Sequence, residues 1–348
     1  MKIAAISTRY KHHAKRGGYI TLAEYLPPTY LIGINEVKKK SPIYILKAYK
    51  WLYEWILRIK HKNIDLIHIY YGEEYFRFTT FLFSKTPVVA TFHQPYSRLK
   101  YEIEQGGTGG RIARFTHRLM SNRFRKLAGA IVLEEKQREL LAGVMPIERI
   151  HVIYHGIDFG HYQAMKKADI IPSPKQVITV GNWLRDWELY ERVLELAETQ
   201  YPELRFVLIN RSITDHWLRR FKNFSNFTYK GQVTDDELVV AMQQSKVHFL
   251  PLTEATANNS VMESLAIGCP LVMPDIFSST YQLRNSATLF FKPHSHEGAL
   301  KKIMSVIHSD SVSYANMQKE GTETIKAFSW ENVAAQTADV YQNAVRFK

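Results

Sequence analysis

The chain carries a single cysteine, Cys269, among 348 residues. One thiol excludes an internal disulfide framework and any paired-cysteine zinc site. Long apolar runs are missing too. No stretch reaches the roughly 18 uninterrupted apolar residues of a membrane-spanning helix. Even the apolar 43–59 is broken by Lys47, Lys50, Glu54 and Arg58. The opening Met1-Lys2-Ile3-Ala4-Ala5-Ile6-Ser7 lacks the apolar length of a secretory leader and reads as a first strand, so a cytoplasmic protein is expected. There is no internal repeat, no low-complexity tract and no Asp-x-Asp pair to hold a divalent metal. Acidic residues are in deficit: 33 Asp+Glu face 46 Lys+Arg, a net charge of +13.

The length predicts about two domains, and an apolar share of 45% with 23% charged residues is that of a globular protein. The charge divides unevenly. Residues 1–150 hold 26 basic and 12 acidic side chains, residues 151–348 hold 20 and 21. The excess therefore steers the first half toward something anionic: membrane lipid, nucleic acid or an acidic substrate. Two segments there join charge to aromatics. In 42–60, Ile45, Leu46, Trp51, Leu52, Trp55, Ile56 and Ile59 alternate with Lys47, Lys50, Arg58 and Lys60. In 111–126, Arg111, Arg114, Arg118, Arg123, Arg125 and Lys126 flank Ile112, Phe115, Leu119 and Phe124. Such helices suit an anionic membrane surface. They equally suit an apolar stripe packed on a sheet with solvated basic residues. No RNP, KH, zinc-finger or basic-zipper pattern supports nucleic acid, and none is expected as a partner.

Both halves read as strands alternating with helices, which predicts α/β domains with parallel sheets. Strands are expected at 2–7, 64–70, 87–92 and 129–133, then at 176–181, 204–210, 226–230, 246–251 and 269–274. Helices are expected near 18–26, 42–60, 73–83, 111–126 and 134–142, then near 186–200, 213–222, 234–244, 258–267 and 297–309. The polar 163–175, with Pro172 and Pro174, reads as a linker. The expected domains are 1–162 and 163–330, followed by a C-terminal helix over 331–348 that crosses back to the first domain.

Ligands of doubly wound sheets bind beyond the carboxyl ends of strands. Three junctions of the second half qualify. Val180-Gly181-Asn182-Trp183-Leu184-Arg185 ends a strand in glycine and offers one guanidinium for phosphate. Lys230-Gly231-Gln232-Val233-Thr234 leads to a helix with Thr234 and Glu237 at capping-box positions. Pro251–Ser260 passes through small residues into a helix near Asn258, Asn259 and Ser260, whose N-terminal N–H groups suit phosphate oxygens. Glu263, one to two turns in, is placed to accept ribose hydroxyls. An ordinary well-capped αβ connection would look the same.

The string Glu263-Ser264-Leu265-Ala266-Ile267-Gly268-Cys269-Pro270-Leu271-Val272 resembles the E-A-x-A-x-G-x-P-V-V signature of the family-4 retaining glycosyltransferases. Further pieces follow in that family's order: Val152-Ile153-Tyr154-His155-Gly156-Ile157-Asp158, Thr179-Val180-Gly181, Asp236-Glu237-Leu238 through Pro251, and Phe328-Ser329-Trp330-Glu331. Looser matches in the first half are Gly17-Gly18, Asp65-Leu66-Ile67-His68 and Thr91-Phe92-His93. The resemblance implies a GT-B fold, two Rossmann-like doubly wound domains facing across a cleft. The implied activity is transfer of a hexose, with retention, from a UDP- or GDP-sugar to a hydroxyl acceptor. Such an acceptor would be lipid-linked or a polysaccharide precursor at the inner membrane face, bound by the basic first domain. No cofactor and no metal are expected; the nucleotide sugar is a co-substrate.

Position by position, the resemblance places Glu263 on the ribose, Gly181 and Asn182 at the diphosphate, and Gln232 and Val233 beside the base. Gly17 and Gly18 form a glycine loop, and His93 reaches the sugar or the departing phosphate. Asn258, Asn259 and Ser260 supply polar contacts. Two departures mark this chain. The family's paired glutamates have seven residues between them, whereas Glu254 and Glu263 have eight, so strict spacing puts Ala255 in the first place. Asn182 and Trp187 occupy the family's Arg and Lys positions, which leaves Arg185 as the cation of that loop. Two other readings of the sequence stand beside this one. They are an epimerase or phosphorylase on the same fold, and a non-catalytic basic protein that binds membrane or nucleic acid.

Overall fold

The computed structural model describes residues 1–7, 18–32, 52–60, 63–105, 115, 117–120, 122–276 and 283–346. Gly17 and residues 42–51, 106–114, 116 and 121 of the expected elements lie outside them. The chain forms two compact units: Met1–Gly156 with Trp330–Lys348, and Ile157–Ser329.

In the first unit, β1 (Ile3–Ile6), β2 (Tyr30–Ile32), β3 (Leu66–Ile69), β4 (Val88–Phe92), β5 (Gly129–Val132) and β6 (Ile150–Val152) make a parallel sheet of order β2-β1-β3-β4-β5-β6. Its central strands are apolar on both faces and buried throughout, as a sheet sandwiched between helices requires. The helices are α1 (Leu22–Tyr25), α2 (Leu52–Lys60), α3 (Gly72–Tyr75), α4 (Thr79–Leu82), α5 (Tyr96–Gln105) and α6 (Glu135–Ala142). The helix expected over 73–83 is broken in two. Glu54 is the reason: its carboxylate accepts the backbone N–H groups of Arg77 and Phe78, each at 2.6 Å, and the Thr79 hydroxyl at 2.5 Å. Residues 96–105, outside every element expected from the sequence, are helical.

The second unit holds α7 (Phe159–Met165), β7 (Ser173–Val180), α8 (Trp187–Gln200), β8 (Arg205–Ile209), α9 (Asp215–Phe221), β9 (Phe227–Gly231), α10 (Asp235–Gln243), β10 (Ser245–Phe249), α11 (Asn259–Ile267), β11 (Leu271–Pro274), β12 (Thr288–Phe291), α12 (His296–Ile307) and α13 (Ser311–Lys326). Its parallel sheet runs β12-β11-β10-β7-β8-β9. Strand order reverses between β7 and β10, so the crevice beyond their carboxyl ends is where a doubly wound sheet binds ligand. Of the polar 163–175, α7 takes the residues to Met165 and β7 those from Ser173, which leaves 166–172 as the connection between them. By contacts the units divide between Gly156 and Ile157. The last helix, α14 (Trp330–Arg346), belongs by its contacts to the first unit.

Two amphipathic assignments need correction. On α2 it is Tyr53, Glu54 and Leu57 that turn inward, while Trp55 and Ile59 face out, 39% and 75% exposed. Phe115 and Leu119 are likewise exposed, whereas Arg123 is buried rather than solvated. Arg123 pairs with Glu102 of α5 at 3.3 Å and lies 4.5 Å over the Phe124 ring.

Candidate functional site

The second unit assembles its site at the reversal point. β7 runs out into Gly181, whose φ of +89° is one that residues with a Cβ rarely adopt. A Cβ there would stand 2.6 Å from Nη2 of Arg185. The Arg185 guanidinium is folded back beneath the turn. Its Nη1 donates to Trp183 O at 2.9 Å, and Nη2 to Val180 O at 2.5 Å and to Ser260 Oγ at 3.4 Å. Burial pulls its pKa down to about 9. Among the described residues no carboxylate pairs with it, and Nε has no acceptor. Buried cations are normally paired with a carboxylate, and this one is held by carbonyl and hydroxyl oxygens instead.

The loops after β7 and β10 are laced together, Asp186 N–H donating to Pro251 O and Thr253 N–H to Leu184 O. Asn258 caps α11: Oδ1 accepts Ser260 N–H at 3.1 Å and the Ser260 hydroxyl at 2.7 Å. Gly181, Arg185, Ser260 and Asn258 thus form one connected group, with Asn259 in the first turn of the helix. Asn182 is held through its side-chain oxygen, which accepts from Asn210 Nδ2 at 3.3 Å; the same amide donates to Gly181 O at 3.1 Å. Glu263 sits one to two turns further along α11 and accepts the Tyr162 hydroxyl at 2.9 Å. Burial drives its carboxyl up to about 7, against the Tyr162 bond and with help from the charge of Asp235. Gln232 is exposed and Val233 half-buried in the turn before α10, which links this turn to Glu263 through Asp235. Glu254 is half-buried on the 251–258 loop.

In the first unit, Gly18 (φ +91°) opens a turn over Tyr19–Thr21. The buried Tyr19 ring stands edge-on to His93 with centroids 4.7 Å apart. His93 follows β4 directly; Tyr71 covers its ring at 4.5 Å. Both carboxylate oxygens of Glu73 accept the His93 backbone N–H, at 3.1 and 3.2 Å, and one lies 3.9 Å from Nδ1. Behind this, His68 bridges Tyr341 at 2.6 Å and Thr91 at 2.7 Å, and burial lowers its pKa to about 3. No motif pointed to Tyr162, Asn210, Tyr19 or Glu73. Only position could have signalled them, since each follows a strand end or a motif.

Among the described residues no three His, Cys, Asp or Glu side chains gather to hold a metal. None of the described helices is long and apolar enough to cross a membrane.

Residues 16–161 match the model of Glycosyltransferase Family 4, and residues 163–324 that of Glycosyl transferases group 1. The chain belongs to the family-4 glycosyltransferases of GT-B fold, and it is a glycosyltransferase. No curated protein matches it in sequence. Solved structures confirm the fold. S. aureus TarM superposes with a TM-score of 0.65 at 15% identity over 83% of this chain, which spans only 57% of TarM. Anabaena HepE, in complex with UDP and glucose, gives 0.68 at 13% identity, covering 98% of this chain and 99% of its own. The α,α-trehalose 6-phosphate synthase of Burkholderia multivorans gives 0.75 at 12%, covering 99% and 97%.

Proposed function

We propose that the protein transfers a hexose from a UDP- or GDP-sugar to a hydroxyl acceptor with retention and without a metal. The observation that carries this reading is the buried Arg185 guanidinium, unpaired among the described residues, under the Gly181 turn and bonded to the first turn of α11. In the reaction the bond from the anomeric carbon to the β-phosphate oxygen breaks, and its electron pair stays on the phosphate. The acceptor oxygen bonds to the same face of the sugar and its proton passes to the departing phosphate. Arg185 and the N–H groups of α11 stabilise the negative charge as it develops. Glu263 accepts the ribose hydroxyls, with Gln232 and Val233 beside the base. His93 touches the transferring sugar, and Glu254 its hydroxyls. Binding of UDP by HepE supports the choice of a uridine donor.

The acceptor is read as lipid-linked or a polysaccharide precursor presented at a membrane face. The basic first half supports this, as do outward Trp55, Ile59 and Phe81 with exposed Arg58, Lys60 and Lys85 close by in sequence.

Calorimetric titration with UDP-, GDP- and ADP-glucose tests the reading. Arg185→Ala is expected to weaken binding of the preferred donor roughly 10- to 100-fold, the loss of one charged hydrogen-bond donor. Unchanged affinity and turnover would remove Arg185 from the site. An epimerised sugar formed from donor alone would favour epimerase chemistry instead.

A further inference from the structure

Gln137, on α6, is not among the residues assigned above, and it is completely buried. Its amide is fully used. Oε1 accepts the backbone N–H groups of Leu133 at 2.7 Å and Glu134 at 3.1 Å; Nε2 donates to Phe92 O at 3.3 Å and Gln94 O at 2.8 Å. These two carbonyls flank His93. The acceptor half of the amide is an ordinary capping-box contact at the third position of the helix. The donor half has no part in capping, because it reaches across to the turn that follows β4.

We infer that Gln137 is a positioning residue for His93: its amide holds the carbonyls of the residues before and after His93, while Glu73 fixes the backbone N–H of His93 itself. This rests on the reading of His93 as the sugar-contacting group. A strand-end turn held from both sides keeps its side chain within the small displacements that catalysis tolerates. A buried side chain whose two donors and two acceptor sites are all used tolerates no shift without leaving a polar group unpaired.

Gln137→Glu separates the two halves. It keeps an oxygen to cap Leu133 and Glu134 but removes the donors to Phe92 and Gln94. In the full-length protein it should lower kcat for UDP release from UDP-glucose roughly 10- to 100-fold, with KM for the donor within about threefold. Lowering the pH should restore part of kcat, since a protonated carboxyl regains one O–H donor. The His93 ring signals in nuclear magnetic resonance should shift. Gln137→Ala should show the same kinetic loss with lower stability, and Glu73→Ala should reproduce the split between kcat and KM. Wild-type kcat and unmoved His93 signals in Gln137→Glu, with destabilisation confined to Gln137→Ala, would reduce Gln137 to a helix cap and overturn the inference. If wild-type protein turns over no UDP-, GDP- or ADP-glucose, the functional reading fails by itself; the His93 signals still decide the clamp.

Discussion

Glu263 shows how one burial acts oppositely on stability and on binding. Its carboxyl is raised from 4.5 to about 7 in the folded protein. The folded state therefore holds the proton more tightly than the unfolded one. The stability this contributes is complete below pH 4.5 and lost as pH rises through about 7. Glu54, raised to about 7 by its own burial, adds with the same sign. Ribose hydroxyls, by contrast, donate best to the ionised carboxylate. Affinity for UDP-glucose should thus rise between pH 6 and 8 while the free protein melts lower. Glu263→Gln should flatten the binding trend and weaken the donor at pH 8, as calorimetry across that range will show. Gly181→Ala should be worse than its size implies, because a positive φ and the Arg185 guanidinium both oppose a Cβ.

At the level of elements, the caps make separable predictions. Thr234 caps α10 with Glu237 in a reciprocal pair that is exposed and away from the Arg185 group. Thr234→Ala should cost about 1 kcal/mol in denaturant unfolding and leave donor affinity unchanged. Asn258→Ala should cost a similar amount and also weaken the donor, since Asn258 orders Ser260 beside Arg185. Long, continuously apolar strands were legible in the sequence, as were α8, α10 and α11 with their caps. The edge strands β2, β6 and β12 were not: short and only partly buried, they lack the fully buried run of equally short central strands such as β1, β3 and β5. The Glu263 and Gly181 positions were legible because motif and strand end coincide there. Tyr162 and Gln137 were not, because their roles depend on residues 101 and 43–45 positions distant in the chain. The inward turn of Glu54 defeats periodicity for a different reason: its partners are backbone groups, which no sequence pattern announces.

For the whole molecule, the charge asymmetry acquires a surface. Trp55, Ile59 and Phe81 are apolar and exposed, and Glu54, the acid of α2, is turned inward. Cosedimentation with vesicles containing anionic lipid should show binding that falls with added salt. Trp55→Ser combined with Ile59→Ser and Phe81→Ser should abolish it without changing UDP-glucose affinity. Equal binding to neutral and anionic vesicles would contradict the electrostatic part of this picture.

The chain leaves the first unit after Gly156 and returns to it at Trp330. Trp330 is fully buried and packs where a Cβ on Gly156 would lie, and Tyr341 of the same helix meets His68 beneath the sheet. Ile157 and Ser329 are bridged, so the second unit begins and ends at one place. A ribosome making this protein therefore finishes the parts in an order opposite to their start. The second unit has all its residues once Ser329 emerges, while the first still lacks a helix of its core. Domains usually complete in the order they are synthesised. Here the unit begun first is completed only by the helix Trp330–Arg346, which follows the whole of the second unit in the chain. A chain ending at Ser329 should yield a protease-resistant fragment from 157 onward and lose its first unit to digestion.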